Sequence, residues 1–252
     1  MPWNYGDILD AIAPALPPGA PAFIHGDRII TWAETTKRSN NLARALIKRG
    51  AKPRDKVAFY MRNRPEYVET LAASFKARLT HVNVNYRYLP DEVFYIFDDS
   101  DAQTVVYGAE FRDIISQIRP RLSKVQNFIE ITDGTPPANF AHDYEALAAE
   151  GDGSPLKIGR SPEDEFFIYT GGTTGMPKGV LWRQADIFFG ALGGQLIGSV
   201  TQRVFHSDAD LWKSIALTAA ILLPLAAFTI SRGVRPYGRE VVRLEQLEAQ
   251  SA

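Results

Sequence analysis

The stretch Tyr169-Thr170-Gly171-Gly172-Thr173-Thr174-Gly175-Met176-Pro177-Lys178-Gly179-Val180 constrains this chain more than any other. Apolar runs flank it, Phe166-Phe167-Ile168-Tyr169 before and Val180-Leu181-Trp182 after. The pattern predicts a strand, a glycine-rich turn and a second strand. Glycines there let backbone N–H groups converge on an anion with no side chain in the way. The threonine hydroxyls add donors, and Lys178 adds a mobile positive charge. Such a loop suits the phosphates of a nucleotide. The plainer alternative is a surface turn, with Thr170, Thr173 and Thr174 capping it and Lys178 solvated.

The rest of the chain alternates strand and helix signals. Ala22–Ile24 and Ile29–Thr31 flank a Gly26-Asp27 turn and predict a hairpin. Thr31-Trp32-Ala33-Glu34 has the form of a capping box and opens a helix ending at Gly50. Strands are expected at 57–60, 81–84, 104–107 and 127–131. Helices are expected from Asn63 and Pro65 onward, over 90–97 and over 111–118. Tyr67, Val68, Leu71, Ala72 and Phe75 would face the core. This order predicts an α/β fold, with mostly parallel sheet layers flanked by helices. Residues 150–164 read as a loop-rich linker into the glycine loop.

Composition narrows the function. Twenty-eight basic residues against 29 acidic ones give a net charge of −1, which offers no electrostatic case for nucleic acid. The absence of cysteine excludes a disulfide framework, a thiolate metal site and a cysteine nucleophile. The four histidines are scattered without ligand spacing. Asp98, Asp99 and Asp101 around Ser100 read as a helix-end turn rather than a metal site. The first residues show neither a basic stretch nor an apolar run of a signal peptide, so a cytoplasmic location is expected.

The loop is not of the Walker type, because Met176 and Pro177 separate Gly175 from Lys178 and Gly179 follows the lysine. It closely resembles the phosphate loop of the adenylate-forming (AMP-binding) superfamily. Thr170-Gly171-Gly172-Thr173-Thr174-Gly175 followed by Trp182-Arg183 is similar to the acyl-CoA synthetase branch that handles fatty or steroid-derived acids. Asp55–Tyr67, Phe75-Lys76-Ala77 and Asn83-Val84-Asn85-Tyr86-Arg87-Tyr88 extend the resemblance, which is legible from about Pro21 to Leu196. Arg78 departs from it, standing where the family commonly has glycine. Tight packing of that turn is thereby in question. The resemblance implies ATP, Mg2+ and coenzyme A as ligands and a hydrophobic carboxylic acid as substrate. It places Thr170, Gly171, Gly172, Thr173, Thr174, Gly175 and Lys178 on the phosphates, with Thr170 also near the metal. It assigns no catalytic residue within this sequence.

An aromatic-x-Thr-Glu motif, a Tyr-x-x-Gly-Asp motif and a small domain with a reactive lysine follow the phosphate loop in the family. None is legible here; the later acidic residues, Asp186, Asp208, Asp210, Glu240, Glu245 and Glu248, stand in other contexts. The expectation is an N-terminal adenylate-forming portion over 1–196, inactive by itself, and an atypical tail over 197–252. Ser214–Ser231 holds eighteen residues without charge and predicts a hydrophobic helix at about 211–231. It is borderline in length for a membrane span. Membrane contact, a buried helix and the accidental product of a frameshift are the three alternatives for it. A non-catalytic nucleotide-binding or membrane-attached module is the alternative for the whole.

Overall fold

The computed structural model describes residues 3–17, 19–170, 176–187 and 190. Residues up to Ile187 form one compact unit and those from Phe188 onward a second. The tail beyond 190, including 214–231, lies outside the described residues. Among the described residues no helix is long and apolar enough to cross a membrane.

The first unit begins with α1 (Tyr5–Ile12), followed by a hairpin of β1 (Pro21–His25) and β2 (Arg28–Thr31). Next come α2 (Trp32–Lys48), β3 (Lys56–Tyr60), α3 (Pro65–Lys76), β4 (Thr80–Asn83) and α4 (Pro90–Asp99). The chain continues through β5 (Ala102–Gly108), α5 (Arg112–Ile118), β6 (Asn127–Ile131), β7 (His142–Asp143) and α6 (Tyr144–Ala149). It ends in β8 (Glu165–Thr170) and β9 (Lys178–Arg183). The larger sheet has the order β7-β6-β5-β3-β4-β8-β9. The strands from β7 to β8 are parallel, and β9 runs antiparallel to β8. The predicted α/β sheet is thus present.

Both faces of the sheet are apolar, as a covered parallel sheet requires. Val57, Phe59, Ile129 and Ile131 pack with Leu42 and Leu46 of α2 and Leu147 of α6. The alternate residues Ala58, Tyr60, Val105 and Phe128 pack with Val93, Ile96, Ile115 and Ile118 of α4 and α5. Each fully buried side chain of this size contributes about 1.5–3 kcal/mol.

Thr31 caps α2 by accepting the Glu34 N–H at 3.1 Å, which is one half of the expected capping box. Arg64, rather than Asn63, precedes α3, and Pro65 takes its first position. The face of α3 differs from the expected stripe. Ala72 and Phe75 are buried, but Val68 is exposed. Glu66, Glu69 and Thr70 turn inward instead. A polar cluster accommodates them: Arg38 pairs with Glu69 at 2.7 Å, and Tyr144 donates to Glu69 at 2.9 Å. Buried hydrogen-bond partners thus override the apolar periodicity.

Arg78 resolves the question its sequence position raised. It lies at φ +62° just past the α3 C-terminus, in the left-handed region that favours glycine. Leu79 N–H donates to Ser74 O at 2.7 Å and Arg78 N–H to Phe75 O at 3.2 Å, the bonding of a Schellman turn. Its guanidinium forks onto Asp164, with Nε and Nη2 to Oδ1 at 3.1 and 3.0 Å. Asp164 is 2% exposed and also accepts from Asn4 Nδ2 and Ser161 N–H. The left-handed backbone costs roughly 1–2 kcal/mol for a non-glycine residue. The charge-assisted fork offsets that cost. The turn therefore packs through arginine rather than around its absence.

His81 of β4 lies among the Phe59, Tyr67 and Phe166 rings, with Nε2 2.8 Å from the Tyr67 hydroxyl. Burial lowers its pKa from 6.5 to about 3. The imidazole is therefore neutral in the fold.

Two outcomes are expected. Removing Asp164 leaves Arg78 without its buried partner, so Asp164→Ala should cost about 3 kcal/mol. Arg78→Gly should cost less, because glycine relieves the left-handed backbone. Denaturant unfolding measures both; equal effects would contradict this assignment. For His81, the unfolded imidazole takes up a proton as pH falls below about 6.5, while the folded one resists down to about pH 3. Stability contributed by His81 is thus present above pH 6.5 and lost progressively toward pH 3. His81→Gln should flatten that part of the stability–pH curve; an unchanged slope would contradict a buried neutral imidazole.

Candidate phosphate-binding site

β8 and β9 form a six-pair antiparallel ladder that ends at Thr170 opposite Lys178. Thr170 Oγ1 donates to Lys178 O at 3.4 Å. Both residues are exposed at the C-terminal end of β8. Of the sequence-predicted site residues, the fold therefore brings these two together. Gly171, Gly172, Thr173, Thr174 and Gly175 lie outside the described residues. Pro177 is buried beside the exposed Met176.

The last pairs of the ladder explain one of the glycines. Gly179 faces Tyr169 in register. A Cβ there would overlap the Phe167 ring and come within 3.0 Å of Tyr169 Cζ. Two aromatic rings thus lie directly over the strand that follows the loop.

Tyr169 itself is buried and fixed at two points. Its N–H donates to Asn83 Oδ1 at 3.0 Å, and its hydroxyl donates to Asp99 Oδ2 at 2.6 Å. Burial, then the Asp99 carboxylate, raises the phenol well above its ordinary pKa, so it remains a donor. The acidic cluster is a helix-end turn, as read. Lys124 bridges Asp98 and Asp101 at 3.1 and 2.8 Å, and Asp99 takes the tyrosine. Among the described residues no group of three or more histidines and carboxylates can hold a metal ion.

Thr170, at the C-terminal end of β8, shares its edge of the sheet with the C-terminal ends of β3, β4 and β5. Open parallel sheets take ligands on that edge. The strand order reverses between β3 and β5, and the charged groups there are Arg62, Arg64 and Glu110. Glu110 lies 4.0 Å from Arg62 and 3.8 Å from Arg64. Arg62 and Arg87 stack over Tyr86 at 5.3 and 5.5 Å. Tyr86 and Arg87 thus flank a cationic rim. An apolar groove of about 380 Å³ lies elsewhere, between Tyr5, Ile8, Leu71, Phe75 and Phe166. It touches neither Thr170 nor Lys178.

β8 and β9 are the two strands that the motif predicts, with Thr170 and Lys178 at the end of their ladder. A profile of AMP-binding enzymes matches residues 11–230. The chain belongs to the AMP-binding enzyme family. Among curated relatives, the medium-chain acyl-CoA ligase Mig of Mycobacterium avium is 37% identical over 203 residues, covering 75% of this chain and 37% of that protein. The 3-oxocholest-4-en-26-oate–CoA ligase of Rhodococcus rhodochrous is 38% identical over 197 residues, covering 77% and 35%. The solved anthranilate–CoA ligase AuaEII, bound to anthranoyl-AMP, superposes with a TM-score of 0.71 at 25% identity, over 79% of this chain and 37% of that one. This AMP-binding chain spans just over a third of the length of the two curated relatives. The profile match continues beyond Leu196 and takes in all but the last residue of the uncharged stretch 214–231.

Two residues that matter here, Asn83 and Asp99, were not among the predicted site residues. Their signal is three-dimensional: each lies far in sequence from Tyr169, and only the β4–β8 neighbourhood brings them to it. Gly179→Ala should disturb the hairpin through its clash with Phe167 and Tyr169. A loss of about 1–3 kcal/mol is expected, the range for overpacking. Thermal unfolding checks this, and a neutral effect would contradict the packed rings.

Proposed function

We propose that this chain holds the polyphosphate of ATP at the Thr170–Lys178 loop, as part of an ATP-dependent acid–CoA ligase for fatty or steroid-type carboxylic acids. One observation carries the proposal. Thr170 and Lys178, a neutral donor and a cation, stand opposite each other and exposed at the mouth of the β8–β9 hairpin. Their chemistry fits a phosphate chain, with the hydroxyl donating and the ammonium neutralising charge. Gly171, Gly172, Thr173, Thr174 and Gly175 would add backbone and hydroxyl donors. Magnesium would arrive with the nucleotide, next to the Thr170 hydroxyl.

The named activities of the relatives support an acyl substrate, and the anthranoyl-AMP bound to AuaEII supports an acyl-adenylate route. In that route a carboxylate oxygen bonds to the α-phosphorus and the bond to pyrophosphate breaks. The electron pair and the charge leave with pyrophosphate. Donors aimed at that charge accelerate the step, and each is typically worth ~10²–10³ in rate. In this reading Lys178 and Thr170 would serve the leaving group. In the second step the thiol of coenzyme A would take the acyl group as the thioester, and the acyl–phosphate bond would break to release AMP. The Thr-Glu and Gly-Asp motifs are not legible in these 252 residues. We therefore infer nucleotide binding without appreciable turnover by this chain.

Calorimetric titration of MgATP into the 252-residue chain should show binding. Lys178→Ala should weaken it by about tenfold, in keeping with the loss of one charge-assisted contact. Acid-dependent ATP–pyrophosphate exchange with medium-chain or steroid acids should stay near background. No binding at millimolar ATP would refute the phosphate assignment, and brisk exchange would refute the inference of little turnover.

A further inference from the structure

We propose that Asn83 and Asp99 are positioning residues for Thr170 and Lys178 at the end of the β8–β9 ladder and act on them through Tyr169. The proposal rests on the phosphate-binding reading above. The parallel ladder between β4 and β8 pairs His81 with Phe166 and Val82 with Phe167. Beyond Phe167, the contact from β4 to this part of β8 is made by a side chain. Asn83 Oδ1 accepts the Tyr169 N–H at 3.0 Å, where a ladder carbonyl would otherwise serve. From there the strand runs one further residue to Thr170.

The second hold comes from the helical layer. Asp99, the last residue of α4, accepts the Tyr169 hydroxyl at 2.6 Å. The tyrosine ring lies 5.0 Å from the Phe167 ring and covers Gly179. Tyr169 therefore fixes both arms of the hairpin, one residue before Thr170 and one after Lys178. Asn83 and Asp99 also bracket a single connection, the residues leading into and through α4. The Asn83–Tyr169–Asp99 bonds close this into a ring, so the mouth of the hairpin cannot shift without breaking a hydrogen bond.

Packing alone would be met by phenylalanine at 169, since the ring already fills the space beside Phe167. A buried hydroxyl needs a partner, and a carboxylate partner gives one direction and one length. That is a device for placement. Misplacing a binding group by about 1 Å can cost up to about 10² in function.

The test uses the 252-residue chain and three variants, Asn83→Ala, Tyr169→Phe and Asp99→Asn. Asparagine at 99 retains an acceptor for the phenol. MgATP affinity, thermal midpoint and hydrogen exchange of peptides across 165–183 are measured for each. Asn83→Ala and Tyr169→Phe should weaken ATP binding by about tenfold and speed exchange across 165–183. Their midpoints should move only a few degrees, and Asp99→Asn should bind within about threefold of the parent. Unchanged affinity and unchanged exchange in Asn83→Ala and Tyr169→Phe would overturn the proposal. So would losses that simply track the thermal midpoint. If the parent chain binds no ATP, the nucleotide reading fails by itself. Exchange then decides the clamp: acceleration confined to 165–183 upholds it, and none overturns it.

Discussion

Parallel pairing of β8 with β4 is the contact on which the rest of this arrangement depends. It carries a strand from late in the chain onto a sheet built from much earlier residues, and it brings β9 and the glycine loop with it. The ladder itself is short, pairing His81 with Phe166 and Val82 with Phe167. Polar side chains hold both ends. At the N-terminal end Asp164 collects Arg78, Asn4 and Ser161, Glu165 pairs with Arg54, and the buried Gln184 accepts from Tyr5 N–H at 2.8 Å. At the C-terminal end Asn83 and Asp99 hold Tyr169. Buried polar pairs of this kind add little net stability over an apolar replacement, and breaking them is expensive. Here they fix where β8 starts and stops.

The two ends of the strands have different tasks. Asp164 is buried, and both of its carboxylate oxygens accept hydrogen bonds. Nearby, Lys76 is buried, the Arg160 side chain is nearly covered, and both pair with Asp10. These groups tie α1 and the 150–164 linker to the sheet. The opposite edge leaves Arg62, Arg87, Thr170 and Lys178 at the surface. That asymmetry places available positive charge on the edge where parallel sheets take ligands.

Much of this was legible in the sequence. Alternating apolar runs and turn residues locate β3, β5, β6 and the hairpins, because a strand buried on both faces must be apolar throughout. The long glycine–threonine motif identifies the family, since its spacing reflects backbone geometry rather than surface character. Short elements escaped. α1 is capped by Asn4 and Asp7, and α6 by Asp143, but each is too brief for periodicity to register. The inward turn of Glu66, Glu69 and Thr70 contradicts the apolar stripe of α3, because partners from α2 and α6 decide it. Arg78 was legible as an anomaly, and its solution, Asp164, lies 86 residues away. Asn83 and Asp99 escaped for the same reason.

We propose that this protein meets a nucleotide at the hairpin mouth between Thr170 and Lys178. Amide chemical-shift mapping of isotope-labelled chain during MgATP titration tests it most directly. Saturable shifts are expected at residues 169–179 and at Asn83, with Asn4 and Asp164 unmoved. Shifts centred on the Asp164 end of the strands, or none at millimolar nucleotide, would contradict it.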